Sequence, residues 1–274
     1  MWHEFQIKCP DNLKEQVIAA LYALGCQGIT EGDVELSAYF QSDVDPAMVT
    51  GALSVFSGVE SSIIPVPEQD WYASWKENFK PFHTAGIMIC PPWEDCNAGS
   101  DEKKMILDPG QAFGTGDHVT TSTVLGMLKS WVESIHDLHV MRFLDLGTGT
   151  GVLSMAAALY GVTDITAVDV EDDAIRTAAR NFLLNNMSER ISLIHGSIKE
   201  AGRGYDFIAA NIFQEALLGL MPEIATALNK NGKVAVSGLL SGQEEQVIQA
   251  AKSSGLKVVE VIPGSGWVSV LFQS

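Results

Sequence analysis

The first 66 residues alternate between the apolar spacing of strands and that of helices. Apolar positions two apart predict strands, and apolar positions three and four apart, closed by a glycine, predict helices. The predicted elements are strands over 2–9, 28–30, 34–40 and 59–66 and helices over 12–25 and 45–58. This order, βαββαβ, is typical of a small ferredoxin-like α+β domain.

Beyond residue 83 the pattern changes to continuous apolar runs that alternate with helices, as in buried parallel sheets. Strands are predicted over 86–93, 103–108, 141–147, 164–170, 191–196, 205–212, 233–238, 256–262 and 266–273, and helices from about 120, 152, 171, 215 and 243. The last two strands are joined by a short segment, which predicts an antiparallel pair. We therefore expect an α/β fold with a doubly wound parallel sheet and an antiparallel edge.

Residues 67–82 are predicted to form a linker helix between prolines. Trp71, Trp75 and Phe79 recur every four residues and lie on one face of this helix. One interpretation of these aromatic residues is that they pack as core against the larger domain. The other is that the helix is a linker that sets how the small domain is held, and the two interpretations are compatible. The predicted organisation is a recognition domain over 1–66, a linker over 67–82 and a catalytic domain over 83–274.

The net charge and the hydropathy of the chain argue against two classes, nucleic-acid-binding proteins and membrane-spanning proteins. The net charge is −17 and no basic stripe is visible, so direct binding to nucleic acid is disfavoured. An acidic surface suits a basic partner, or it serves solubility alone. No apolar stretch of about 18 residues occurs, so no membrane span is expected.

The four cysteines, Cys9, Cys26, Cys90 and Cys96, form no CxxC pair and no cluster with the spacing of zinc ligands. The start of the chain lacks the basic and apolar regions of a signal peptide. We therefore expect a reduced, cytoplasmic protein without a structural metal.

The stretch FLDLGTGTGVLSMAA predicts a strand, a glycine turn and a helix. Gly147 and Gly149 allow a tight turn and the close approach of a ligand, because no Cβ intervenes. The dinucleotide fingerprint is GxGxxG, whereas Val152 stands here in place of its last glycine. Asp145 would repel a pyrophosphate but attract an ammonium or a sulfonium. The motif therefore favours S-adenosylmethionine over NAD.

Two further polar residues stand at the ends of predicted strands. Asp169, 22 residues after Gly147, is placed to accept hydrogen bonds from both hydroxyls of a ribose. Asn211 ends a later strand, where its amide oxygen is placed to accept a hydrogen bond from an incoming amine. Each residue has a structural alternative, since Asp and Asn also cap the helices that follow strands.

Residues 107–122 form a long segment with three glycines that leads into a helix. Ordered loops of this length in a compact domain are usually functional, although a simple connection is the alternative. Phe113 is placed to cover the adenosyl or sulfonium group. The hydroxyls of Thr120 and Thr121 are predicted to cap the helix or to contact the cofactor.

Four motifs carry a family resemblance: MILDPGQAFGTGDHVTTS, FLDLGTGTGVLSMAA, AVDV and ANIF, in that order. They resemble the bacterial methyltransferases of large-subunit ribosomal protein eleven, the PrmA family, over about residues 68–240. The resemblance implies a ferredoxin-like recognition domain, a linker, and a Rossmann-like class I methyltransferase domain with a seven-stranded sheet. It implies cofactor contacts at Thr121, Gly147, Asp169 and Asn211.

The resemblance also implies a reaction, the methylation of lysine side chains and the N-terminal amine of a basic ribosomal protein. S-adenosylmethionine is the expected cofactor and S-adenosylhomocysteine the expected product. The sequence departs from the family pattern at two places near the expected reaction site. Asp117 stands where the family usually has Thr or another small residue, and Phe213 belongs to a run after Asn211 that differs from the usual one. The alternatives are a methyltransferase of another protein or small molecule, a non-catalytic nucleotide-binding module, and an NAD oxidoreductase.

Overall fold

The computed structural model describes residues 2–10, 13–26, 28–31, 36–41, 44–66, 79–96, 99, 102–110, 112 and 114–274. The chain divides into two compact units, Met1–Lys76 and Glu77–Ser274. Most of the predicted linker, including Trp71 and Trp75, lies outside the described residues, whereas Phe79 is buried within the second unit.

The first unit has the predicted order βαββαβ. Its elements are β1 (Trp2–Lys8), α1 (Lys14–Ala23), β2 (Gly28–Glu31), β3 (Leu36–Gln41), α2 (Pro46–Leu53) and β4 (Glu60–Val66). The four strands form one antiparallel sheet in the order β2-β3-β1-β4. This order, with both helices in the connections, confirms the ferredoxin-like prediction.

One face of this sheet forms the core of the first unit. Phe5 and Ile7 lie two residues apart on β1 and therefore point to the same side, where they are fully buried. Phe5 packs edge-to-face on Phe40, with ring centroids 5.3 Å apart. Val17 of α1 and Val49 of α2 complete the same apolar cluster. The helical periodicity of the sequence thus corresponds to the faces that cover the sheet.

The second unit begins with a three-stranded sheet. Its strands are β5 (Phe82–Thr84), β6 (Ile87–Cys90) and β7 (Lys103–Ile106), in the order β5-β6-β7. Strand β5 was not predicted from the sequence. It pairs with β6 through a two-residue turn in which Ala85 and Gly86 both have positive φ, 49° and 79°. Alanine rarely adopts this conformation, so the sequence does not predict the hairpin.

A disulfide joins Cys90 and Cys96, so the expectation of reduced thiols is wrong at these two positions. The chain turns back after β6 and brings the two Cα atoms within 6.3 Å. Cys9 and Cys26 take no part in the disulfide. The pairing follows from this turn, and a separation of six residues does not reveal it.

The remaining chain forms a doubly wound sheet. The strands are β8 (Arg142–Leu146), β9 (Asp164–Asp169), β10 (Ile191–His195), β11 (Tyr205–Asn211), β12 (Leu228–Leu240), β13 (Lys257–Gly264) and β14 (Trp267–Gln273). The helices are α3 (Val119–Glu133), α4 (Val152–Tyr160), α5 (Asp172–Leu184), α6 (Ile198–Ala201), α7 (Gln214–Ala227) and α8 (Glu244–Ser253). Of these six helices, only the short α6 was not predicted, and a 3₁₀ turn at Leu138–Val140 was not predicted either.

The seven strands follow the order β10-β9-β8-β11-β12-β14-β13. The last two strands pair antiparallel, as predicted, but β14 lies between β12 and β13 and not at the sheet edge. Strands β8, β9, β10 and β11 run parallel, so their carboxyl ends meet along one edge. Open α/β sheets bind ligands at this edge. No helix among the described residues is long and apolar enough to cross a membrane.

Candidate cofactor-binding site

The glycine turn, residues 147–151, connects β8 to α4. Gly147 and Gly151 have φ of 74° and 84°, in the left-handed region that favours glycine. A Cβ on Gly147 would overlap the side chain of Ile212, and a Cβ on Gly151 would overlap Phe182. The packing of the protein itself therefore requires both glycines, in addition to any need for a ligand to approach.

Asp145 lies at the end of β8 and is completely buried. Its Oδ2 atom accepts hydrogen bonds from Thr148 Oγ1 at 2.7 Å and from the backbone N and Oγ of Ser154 at 3.0 and 2.8 Å. Its Oδ1 atom is buried and has no hydrogen-bond partner among the described residues. The carboxylate therefore retains one oxygen for a donor from outside the chain.

Burial raises the pKa of Asp145 from 3.8 to about 6, because the ionised form loses its hydration. The hydrogen bonds from Thr148 and Ser154 lower the pKa and limit this rise, and the charge of Asp169 adds slightly to it. A cation at Oδ1 would favour the ionised form. The site is thus suited electrostatically to a positively charged group.

Asp169 ends β9, the strand beside β8. Its Oδ2 atom accepts from Gly149 N at 2.9 Å, and its Oδ1 atom accepts from Glu171 N at 3.1 Å. Glu171, not Asp169, is the N-cap of α5, so the capping alternative does not describe this residue. A carboxylate can accept about four hydrogen bonds. Asp169 therefore holds the glycine turn and retains capacity for a hydroxyl donor on each oxygen.

Asn211 ends β11, the other neighbour of β8. Its Nδ2 atom donates to Thr121 Oγ1 at 3.1 Å, while Oδ1 is buried without a partner in the described part of the chain. The N-cap of α7 is Phe213, so Asn211 does not cap that helix. Because Ala209 pairs with Asp145 in the sheet, Asn211 lies two residues further toward the carboxyl edge.

We call residues 107–118 the strap, because this segment connects β7 to α3 and is bonded to the glycine turn. Thr150 Oγ1 donates to the carbonyl of Gly114. His118 is the N-cap of α3, and its Nδ1 atom lies 2.8 Å from Thr120 Oγ1, so the cap is His118 and not a threonine. Asp117 accepts from Thr115 Oγ1. Phe113 lies outside the described residues.

The structure thus brings Asp145, Gly147, Gly149 and Asp169 together on adjacent strand ends, and it ties Thr121 to Asn211. Sequence reasoning missed Thr148 and Ser154, the partners of Asp145. A signal was present, because a buried acid needs donors and both residues follow within nine positions. His195, the last residue of β10, is exposed, and its Nε2 atom lies 3.0 Å from the carbonyl oxygen of Val170.

The donors and acceptors of this edge fit S-adenosylmethionine. This cofactor carries an ammonium, a sulfonium and two ribose hydroxyls, and the edge offers two unpartnered buried oxygens and the Asp169 carboxylate. A pyrophosphate would instead meet two acidic side chains. Within the described ranges, no group of three or more His, Cys, Asp or Glu residues could hold a metal ion.

Two features define the class of protein. The seven-stranded sheet has an antiparallel strand inserted before its last member, and a GxGxG turn preceded by an acidic residue lies at its carboxyl edge. Together they are the features of a class I methyltransferase that uses S-adenosylmethionine. The chain belongs to the ribosomal protein L11 methyltransferase (PrmA) family, whose model matches residues 30–274. This match spans the glycine turn, the strap and most of the first unit.

Two curated relatives support the assignment over most of the chain. A ribosomal protein L11 methyltransferase of Staphylococcus saprophyticus subsp. saprophyticus is 33% identical and is aligned with 94% of this chain and 85% of its own length. The protein of that name from Trichlorobacter lovleyi is 34% identical, with 90% and 89% covered.

Solved structures agree with the fold. A ribosomal protein L11 methylase from Lactobacillus delbrueckii subsp. bulgaricus superposes with a TM-score of 0.63 at 28% identity, covering 71% of this chain and 98% of that chain. A putative RNA methyltransferase from Pyrococcus horikoshii reaches 0.51 at 16% identity, covering 61% and 92%, which shows a shared fold alone.

Proposed function

We propose that this methyltransferase transfers methyl groups from S-adenosylmethionine to amines of ribosomal protein L11, on lysine side chains and the N-terminus. S-adenosylhomocysteine is the product. The names of the relatives supply the substrate. The observation that carries the chemistry is a pair of buried oxygens on neighbouring strands, Asp145 Oδ1 and Asn211 Oδ1, which have no hydrogen-bond partner within the part of the chain that the structure describes. Cytoplasmic localisation follows from a substrate that is a ribosomal protein.

The cofactor is assigned to the carboxyl edge of the sheet. Asp145 would accept a hydrogen bond from the ammonium group, and Asp169 would accept hydrogen bonds from the ribose hydroxyls. The backbone of Gly147 and Gly149 would lie against the cofactor. From the sequence, Phe113 is the residue proposed to cover the adenosyl or sulfonium group. When bound, S-adenosylmethionine supplies an electrophilic methyl group. The contribution of the protein is mainly positioning and the exclusion of water.

Asn211 is proposed to orient the incoming amine. Thr121 accepts a hydrogen bond from its Nδ2 atom, which fixes the amide and leaves Oδ1 as the acceptor for an amine N–H. A lysine has a pKa near 10.4 and must lose a proton before it can react as a nucleophile. A buried site favours the neutral amine, because burial penalises the charged form.

The first unit is proposed to recognise the protein substrate, with residues 1–66 as the recognition domain, 67–82 as the linker and 83–274 as the methyltransferase domain. Two features support this division. The first unit has an apolar core of its own, and all the proposed cofactor residues lie beyond Gly110. The net charge of −17 suits a basic ribosomal protein.

The test is incubation with labelled S-adenosylmethionine and purified ribosomal proteins, followed by mass spectrometry. We expect label on L11 amines, and at least a tenfold slower rate for Asn211→Ala. Asn229→Ala is the matched control, because its side chain bonds Gly204 and Asp206 at the opposite edge of the same sheet. Cofactor binding without label on L11 would contradict the substrate, and absence of cofactor binding would contradict the site.

A further inference from the structure

Two asparagines of α5 bind the backbone that leads into the strap. Asn181 is completely buried; its Oδ1 atom accepts from Asp108 N and its Nδ2 atom donates to Asp108 O, both at 2.8 Å. One turn later, Asn185 Oδ1 accepts from Ile106 N at 2.8 Å and Nδ2 donates to Ile106 O at 2.6 Å. Each amide thus pairs with both backbone groups of one residue.

The spacing of helix and strand explains this double pairing. Four residues of an α-helix rise about 6 Å, and two residues of a strand extend about 6.6 Å. Asn181 and Asn185 therefore match Asp108 and Ile106. Strand β7 pairs with β6 on its other side, so the two amides take the place of a neighbouring strand along its outer edge.

The two asparagines differ in what else they hold. Asn181 Nδ2 also donates to Thr150 O at 2.9 Å, so one side chain joins the strap to the glycine turn. Asn185 Nδ2 instead donates to Asn181 O and contacts Met155 Sδ, neither of which belongs to the strap or the turn. Only Asn181 bridges the two segments assigned to the cofactor.

We propose that Asn181 is a positioning residue for cofactor binding, which sets the separation of the strap from the glycine turn. Both N–H groups of its amide are used by the protein, so it acts through Asp108 and Thr150 and not by touching the ligand. The inference rests on the proposed cofactor site.

Removal of the amide has a defined consequence. It removes the hydrogen bonds that the Asn181 side chain makes to the backbone N–H and C=O of Asp108 and to the backbone C=O of Thr150, in a buried environment where each lost hydrogen bond is costly. We expect the two segments then to separate and admit water. Among the described residues, the hydrogen bond from Thr150 Oγ1 to Gly114 O still joins them. A shallower and more mobile site binds the cofactor less tightly, because the cofactor must order it again.

The experiment compares Asn181→Leu with Asn185→Leu in the full chain. Both changes remove one asparagine amide of α5 and keep the side-chain size, so both lower the melting temperature. Calorimetric titration with S-adenosylhomocysteine should show at least a tenfold loss of affinity for Asn181→Leu and less than a threefold loss for Asn185→Leu. Equal losses, or unchanged affinity of Asn181→Leu, would overturn the inference.

A second variant keeps the test decisive if Asn181→Leu fails to fold. Thr150→Val replaces the hydroxyl that bonds Gly114 with a methyl group and thus breaks another hydrogen bond between the same two segments. We expect it to lose affinity at least threefold, and wild-type affinity would overturn the inference. Failure of the wild-type protein to bind S-adenosylhomocysteine would instead contradict the proposed cofactor site, and with it this inference.

Discussion

The two compact units differ in the polarity of their buried side chains. Among the described residues, every buried polar or charged side chain lies in the second unit, between Asp108 and Ser269. The core of the first unit consists of apolar side chains such as Phe5, Ile7 and Phe40. Buried polar groups cost free energy unless they are bonded, so a protein retains them where they have a use.

The difference agrees with the proposed division of labour, in which the first unit recognises the substrate and the second binds the cofactor. A ferredoxin-like sheet with an apolar core offers only its exterior to a partner. The second unit instead places acids and amides at its strand ends, and two of their oxygens, Asp145 Oδ1 and Asn211 Oδ1, have no hydrogen-bond partner among the described residues. We therefore expect substrate recognition and cofactor binding to be separable by mutation, and four predictions test this separation.

Deletion of residues 1–66 should have the largest effect. Activity on the intact protein substrate should fall by about 100-fold, because a second contact raises the local concentration of the target by that order. Affinity for the cofactor should stay within about twofold, which calorimetry measures. A folded truncated enzyme with full activity on the protein would remove the recognition role of the first unit, and loss of cofactor binding would contradict the domain boundary.

Asp169→Ala should reduce cofactor affinity at least tenfold. Hydrogen bonds to a charged group contribute about 1.5–3 kcal/mol each, and the variant would lose the two proposed bonds to the ribose as well as the bonds from Gly149 N and Glu171 N. Asp164→Ala is the matched control, because this acid begins the same strand, is exposed and pairs with Arg142. If both variants bind like the wild type, Asp169 is not a cofactor ligand.

Because the pKa of Asp145 is about 6, a change of pH around this value should have opposite effects on cofactor affinity and on the stability of the cofactor-free protein. Cofactor affinity should fall by up to about tenfold per pH unit below pH 6, since the protonated acid no longer attracts the ammonium. Stability of the cofactor-free protein should change in the other direction. The raised pKa means that the native state binds the proton more tightly, so this contribution is complete below pH 4 and lost as pH rises through 6.

Titration and thermal melts at pH 7.5 and 5.5 measure both effects of Asp145. Asp145→Asn is the control, because an amide there keeps an oxygen for Thr148 and Ser154 but does not titrate in this range. Identical pH profiles of the variant and the wild type would show that another group is responsible.

Salt should have the smallest effect. The range of electrostatic attraction shrinks from about 10 Å at 0.1 M to about 3 Å at 1 M salt, so association with a basic ribosomal protein should weaken several-fold. Cofactor affinity should change less, because its partners are buried. Association that is independent of salt would leave the net charge of −17 with a role in solubility alone.

Much of the fold could be predicted because periodicity and turn residues are local signals. The order βαββαβ, the strand and helix around the glycine turn, and the antiparallel final pair all follow from neighbouring residues. Strand β5 was not predicted, because the turn after it requires a positive φ at Ala85, which alanine seldom adopts. The site residues Asp145, Asp169 and Asn211 could be chosen because strand ends of a parallel sheet share one edge, and their roles toward the cofactor stay predictions.

The sequence by itself determined the periodicities, the glycine turn and the acids at the strand ends, because each depends on residues close together in the chain. The tertiary structure alone decided which polar atoms are satisfied. Asn181 binds a backbone 73 residues away, Asn211 meets Thr121 across 90 residues, and Cys90 bonds Cys96 only through the turn after β6. The physical reason is that hydrogen bonds and disulfides form over a few ångströms, and only the packed chain brings distant residues within that range.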